Sequence, residues 1–172
     1  MKKISYVFVM AVMLLTLPSC GRASAVQKNG KTLIYGSGDY TRINPAMDEH
    51  GEINSLLFDG LTAHNGDNEV IPSLAKCWKF EKKRCTYTFY LKEKVKWHDG
   101  EAFTAEDVKF TIEAIMDSEN GSENRSDFED VEEITVIDEH TVCFKLSAPN
   151  VAFLDYMAMP ILPKHLLSGE DM

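Results

Sequence analysis

Three kinds of side chain in this 172-residue chain are equipped for chemistry: five histidines, four cysteines and an acid-rich stretch. His98 stands beside Asp99, a pairing that would suit acid–base work. Asp99-Gly100 is also a tight-turn dipeptide, and that reading makes His98 the end of a strand. His50, His64, His140 and His165 are scattered, without metal-site spacing, and surface or turn roles are expected of them. The stretch from Asp117 to Asp127 fails the calcium-loop pattern, because its glycine is Gly121 where position 122 would need it. Ser37, Ser55 and Ser73 lie in no nucleophile-elbow context. No catalytic residue, metal site or cofactor is predicted, and the chain is not expected to be an enzyme.

The elements that must carry these residues read as a mixture of helix and strand. Thr32-Leu33-Ile34-Tyr35 is a short strand ended by Gly36-Ser37-Gly38, with a turn at Asn44-Pro45. Ile53, Leu56 and Leu57 have helical spacing, and Gly60 fits a helix stop. Alternation in Trp78, Phe80, Cys85, Tyr87, Phe89 and Leu91 predicts a hairpin turning near Lys82-Lys83. That register sets Phe80 opposite Cys85 and Cys77 opposite Thr88. It puts Trp78, Phe80, Cys85 and Tyr87 on the core face. Cys77 and Cys85 then point to opposite faces, too far apart to bridge. An exported chain with Cys77, Cys85 and Cys143 has room for one disulfide, but buried thiols are the expectation.

Val95-Lys96-Trp97 is extended. Thr104 followed by Asp107 is close to a capping box, opening a helix that buries Val108, Ile112, Ile115 and Met116 and runs to about Asp117. Residues 118–127 show no regular pattern. A second hairpin turns at Asp138-Glu139-His140, a helix is predicted over 150–159, and Ile161-Leu162-Pro163-Lys164-His165-Leu166 reads as extended-to-turn. Trp78, Tyr87, Phe89 and Trp97 are expected in the core.

Charge and leader narrow the class. The chain has 27 acidic and 18 basic side chains, for a net charge of −9. No basic footprint supports nucleic-acid binding. Met1-Lys2-Lys3 followed by an apolar run from Val7 to Leu15 is too short to span a bilayer and reads as an export signal. Leu17-Pro18-Ser19-Cys20-Gly21 resembles the lipobox of bacterial lipoproteins. By that resemblance residues 1–19 are the signal peptide, Cys20 is acylated, and the chain is anchored to the cell membrane on its extracytoplasmic side. The alternative is a plain signal peptide cut near Ala23-Ser24-Ala25. Residues 20–31 are small and polar, a tether.

A long ordered signature covers most of the remainder. Pro72-Ser73-Leu74-Ala75, Trp78, Thr86-Tyr87-Thr88-Phe89, Leu91, Val95-Lys96-Trp97-His98-Asp99-Gly100 and Phe103-Thr104-Ala105-Glu106-Asp107-Val108 occur in that order. Asp138, Thr141-Val142, Phe144, Leu146, Pro149 and Ile161-Leu162-Pro163-Lys164-His165-Leu166 continue it. The pattern resembles the family 5 extracellular solute-binding proteins, the oligopeptide- and dipeptide-binding components of ABC importers. Where that family has an acidic or Gly-bearing turn, this chain has Lys82-Lys83-Arg84-Cys85.

The resemblance implies an α/β fold of mixed α+β type, a periplasmic-binding-protein-like type II lobe with the small extra lobe. It implies that residues 32–172 are the N-terminal part of the domain, with about 53–146 the small extra lobe and 32–52 and 147–172 parts of the main lobe. Family members are several times longer, so a truncated product is expected. The implied function is capture of peptides for import, with permease subunits as partners. The same family also takes nickel, haem, opines and oligosaccharides. In peptide-binding members the segment between the first strand and the x-Pro turn lines the cleft. That role falls on Gly38, Asp39 and Tyr40, whose backbone groups would pair with an extended peptide.

Overall fold

The computed structural model describes residues 44–47 and 53–169. Its centre is an antiparallel sheet whose two inner strands are apolar at every other residue. β3 (Ala75–Glu81) pairs with β4 (Thr86–Leu91), β4 with β6 (Thr141–Leu146), and β6 with β5 (Val131–Asp138), giving the order β3-β4-β6-β5. A small separate sheet joins β1 (Thr62–His64) to β2 (Val70–Pro72). The inner face of the larger sheet carries Phe89, Leu91, Val142, Phe144 and Leu146, all at most 2% exposed. Each such side chain contributes about 1.5–3 kcal/mol by leaving water. The outer face carries Thr88, Cys143 and Thr135 in one cross-strand row. This is the expected amphipathic alternation of an antiparallel sheet.

The β3–β4 hairpin does not have the expected register. Phe80 lies opposite Tyr87 and Cys77 opposite Tyr90, two residues from the predicted pairs. The cause is the loop. Lys82 to Cys85 form a four-residue connection in which Arg84 N donates to Glu81 O at 3.1 Å, and Cys85 ends in the left-handed region at φ 50°. A shift of two residues preserves side-chain parity, so Trp78, Phe80 and Tyr87 keep their common face. Cys85 leaves the strand and packs half-buried at its end. The three cysteines among the described residues are free thiols. They are not uniformly buried: Cys77 is exposed, and Cys85 and Cys143 are half-buried. Cys77 falls on the outer face of an edge strand, where nothing covers it.

Helices cover the inner face. α1 (Asn54–Leu57) is a single turn, and α2 (Ala105–Met116) is the long one. The stripe Val108, Ile112 and Ile115 is at most 1% exposed, and α2 packs against β5 and β6. Residues 123–128, all but the last within the stretch 118–127 that shows no regular pattern in the sequence, form a 3₁₀ helix that buries Phe128. The helix expected over 150–159 shortens to α3 (Phe153–Tyr156) between turns. Its work is done by Phe153, whose ring centroid lies 5.0 Å from that of Tyr87 and 5.5 Å from that of Phe144. The segment expected to pass from extended to turn does so, its turn being the short helix α4 (Lys164–Leu167).

Gly60 is not a helix stop. Phe58 caps α1 in an extended conformation, and Gly60 instead lies against the backbone of Met157 and Ala158. Thr62 N donates to Met157 O at 3.1 Å and Ile161 N to Asp59 O at 3.0 Å. The start of the described chain and its returning end are thereby laced together.

Candidate functional site

The expected ligand-facing residues Gly38, Asp39 and Tyr40, and the expected acylation site Cys20, lie outside the described residues. The turn that follows them is described. Asn44 Oδ1 accepts from Ala46 N at 3.1 Å and Asn44 O from Met47 N at 3.1 Å. Ala46 and Met47 are buried, at 0% and 5% exposure. Ser122 Oγ donates to Ala46 O, and Asn124 Nδ2 donates to Pro45 O at 3.5 Å. The 3₁₀ helix over 123–128 therefore fixes the chain just downstream of the predicted cleft segment. Sequence reasoning missed this role, because a serine in a polar stretch carries no periodic signal.

The two halves of the sequence signature meet in space. Asp107 is 4% exposed, and both of its carboxylate oxygens are used. Oδ2 accepts from Thr104 N at 2.8 Å, completing the predicted cap, and Oδ1 accepts from Lys164 N at 2.9 Å. One turn on, Thr111 Oγ1 donates to Asp107 O at 2.8 Å and accepts from Leu162 N at 2.9 Å. Lys164 Nζ reaches Glu106 at 2.7 Å. The first two turns of α2 thus hold the returning segment at two alternate backbone N–H groups, those of Leu162 and Lys164.

Asp99 belongs to the same junction. Its partner is His165 Nε2 at 2.7 Å, not the adjacent His98. The turn expected at Asp99-Gly100 is present, with Gly100 N donating to Trp97 O at 3.0 Å and Gly100 at φ 98°. Trp97 packs edge-on against Phe103, ring centroids 6.0 Å apart. The hydrogen bond with Asp99 raises the His165 pKa above its ordinary 6.5, and the same bond lowers that of Asp99 below 3.8. The signs fix a pH window. The His165 contribution is complete below about 6.5 and fades as pH rises through its elevated folded value. The Asp99 contribution is complete above about 3.8 and fades as pH falls through its depressed one. The chain is therefore expected to be more stable at pH 5.5 than at pH 8.5 by a margin that His165→Gln removes, measured as urea midpoints at the two values. An unchanged margin in that variant would reject the assignment.

The described residues hold no catalytic arrangement. No group of three or more His, Cys, Asp or Glu among them is placed to hold a metal ion. His64 pairs with Asp155 at 3.0 Å on the surface. A hollow of about 610 Å³ lies over the polar outer face and is lined by Thr86, Thr88, Cys143 and Lys145 among others. It is open and shallow, and Lys145 there is already engaged by Glu132 at 2.6 Å.

Comparison with known proteins gives a consistent result. The family model described as bacterial extracellular solute-binding proteins, family 5 Middle, matches residues 69–167. The dipeptide-binding protein of Escherichia coli is 33% identical over 168 residues, covering 84% of this chain and 31% of its own length. Among solved structures, NikZ from Campylobacter jejuni in complex with Ni(L-His) superposes with a TM-score of 0.75 at 38% identity, covering 78% of this chain and 27% of that one. The oligopeptide-binding protein AppA from Bacillus subtilis, in complex with a nonapeptide, gives 0.70 at 29% identity, with 77% and 27% coverage. The chain spans between 19% and 31% of the length of the curated relatives it matches.

Proposed function

The chain belongs to the bacterial extracellular solute-binding proteins of family 5, and on that premise we propose that it serves as the substrate-binding component of an ABC importer that captures peptides. The similarity to the E. coli dipeptide-binding protein, which extends over 84% of this chain, carries the reading. Family 5 proteins are extracytoplasmic. The finer placement, anchorage to the cell membrane through acylated Cys20, is supported by the Leu17-Pro18-Ser19-Cys20 sequence. Permease subunits of the importer are the protein partners, and no catalytic step is involved.

In this reading Gly38, Asp39 and Tyr40 offer backbone groups to an extended peptide. Main-chain pairing does not depend on side-chain identity, so one cleft serves many peptides. Residues 32–52 and 147–172 contribute to the main lobe and about 53–146 form the small extra lobe. The anchoring of Pro45 and Ala46 to residues 122–124 supports a cleft wall braced from that lobe. The junction at Asp107 would then hold the chain where it re-enters the main lobe.

Calorimetric titration of the full-length gene product with a mixture of short peptides tests the proposal. Heat of binding from a peptide is the expected result. A second reading, a small non-peptide solute, is favoured by the Ni(L-His) complex of NikZ. Binding of nickel–histidine with no response to any peptide would replace the first reading by the second.

A further inference from the structure

The connection from α2 to β5 is a clasp whose side-chain donors face two ways. Asn120 Nδ2 donates to Ala114 O at 2.9 Å and Arg125 Nε to Met116 O at 3.0 Å, both at the C-terminal end of α2. Ser122 Oγ and Asn124 Nδ2 instead hold the carbonyls of Ala46 and Pro45. Met116, Ser122, Arg125 and Phe128 line a hollow of about 560 Å³, and Glu123 and Glu129 line it too. Because Ser122 both lines the hollow and holds Ala46, the hollow adjoins the turn that follows Gly38, Asp39 and Tyr40.

Arg125 has binding capacity to spare. A carbonyl in the last turn of a helix needs a donor from outside the helix, and Nε supplies one to Met116 O. That bond restrains the guanidinium plane, while the N–H groups of both terminal nitrogens have no partner among the described residues. No ion pair joins Arg125 to Glu129, four residues on, or to Glu123. Engagement with Met116 O accounts for this. A guanidinium fork matches a carboxylate through two parallel hydrogen bonds. The two acids outnumber Arg125 in the hollow, so a bare anion would be repelled. A solute of both signs escapes that penalty, with its carboxylate on Arg125 and its cationic group toward Glu129. A peptide with free termini has this character. So does a nickel–histidine chelate, in which the metal is cationic and the amino acid brings the carboxylate.

We propose that Arg125 is a specificity-determining residue of the solute site, receiving the carboxylate of a zwitterionic solute in the hollow beside the Ala46 turn while Glu129 faces the cationic end. This rests on the solute-capture reading above and adds the class of solute to it. It holds for a peptide and for a chelate alike.

The full-length gene product is titrated calorimetrically with three sets of short peptides: free at both ends, amidated at the C-terminus, and acetylated at the N-terminus. The free peptides are expected to bind about tenfold or more tighter than either blocked set. Arg125→Gln is expected to lose the preference for free peptides over amides, with amide binding little changed. Arg125→Lys, which keeps the charge without the fork, is expected to retain part of that preference. Glu129→Gln is expected to lose only the preference over the acetylated set. A residue that merely braces the fold would weaken free and amidated peptides alike, and the urea midpoint of each variant records that loss separately. Equal binding of free and amidated peptides by the parent, or an unchanged preference in Arg125→Gln, overturns the assignment of Arg125 and leaves solute capture standing. Should nickel–histidine alone bind, the same variants are titrated with it, and equal affinity of parent and Arg125→Gln overturns the assignment. Binding of none of these solutes removes the capture reading itself, and the role of Arg125 with it.

Discussion

Replacing Gly60 by alanine is expected to cost about 3 kcal/mol or more of stability, among the largest effects available to a single methyl group in this chain. An added Cβ would meet the carbonyl carbon and oxygen of Ala158, each at 2.5 Å, and Met157 O at 2.8 Å. All three are backbone atoms, so no side-chain rotation relieves them. The backbone itself is held on both sides. Thr62 N binds Met157 O at 3.1 Å, Ile161 N binds Asp59 O at 3.0 Å, and Gly60 O accepts from Leu74 N at 3.0 Å. Withdrawal by the required distance breaks at least one of these bonds. Gly60 is not among the positive-φ glycines, so the cost is steric rather than conformational. Gly66→Ala is the control, because a Cβ there meets nothing within 4 Å. That change is expected to stay within about 0.5 kcal/mol of the parent. Urea unfolding followed by the fluorescence of Trp78 and Trp97 reads both. Equal midpoints for the two variants would mean that the return segment moves aside freely.

Gly60 also marks where sequence reasoning runs out. A glycine after Leu56 and Leu57 reads as a helix stop, whereas its use is set by residues nearly a hundred positions away. What was legible was local. The Thr104–Asp107 cap, the α2 stripe and the turns at Asp99-Gly100 and Asp138 to His140 each follow from a few neighbouring residues, and each is present. The β3–β4 register was off by two because a four-residue loop with Cys85 in the left-handed region carries no glycine to announce it. Side-chain parity survived that error, since a strand repeats every two residues. Burial of Cys77 was misjudged for a different reason. Alternation tells which residues share a face, and only the strand order tells that β3 is an edge. Of the candidate site, the sequence offered Gly38, Asp39 and Tyr40 only as what the family resemblance implies, and these lie outside the described residues. It could not show that Ser122 braces Ala46, or that Asp99 and His165, 66 residues apart, are partners.

Asp107 is where the local and the distant parts of the signature become one structure, and Asp107→Ala is expected to destabilise by about 3 kcal/mol. Two backbone N–H groups, those of Thr104 and Lys164, lose their acceptor at once. Each is a hydrogen bond to a carboxylate at a site only 4% exposed, where water replaces it poorly. Asp107→Asn retains one oxygen but turns an NH₂ toward whichever N–H remains, so it recovers less than half of the loss. Thr111→Val keeps shape and removes both the acceptor for Leu162 N and the donor to Asp107 O, with an expected cost of about 1–2 kcal/mol. Because both residues hold the same three-residue strap, the double variant is expected to cost less than the sum of the two singles. Once Lys164 N is free, Leu162 N has less to lose. Amide hydrogen exchange separates this account from general loosening. The Leu162 and Lys164 amides should lose protection in Asp107→Ala, while those of Phe89 and Phe144 in the sheet interior fall only with global stability. Uniform loss across all four amides would remove Asp107 from its role as the tie between α2 and the returning segment.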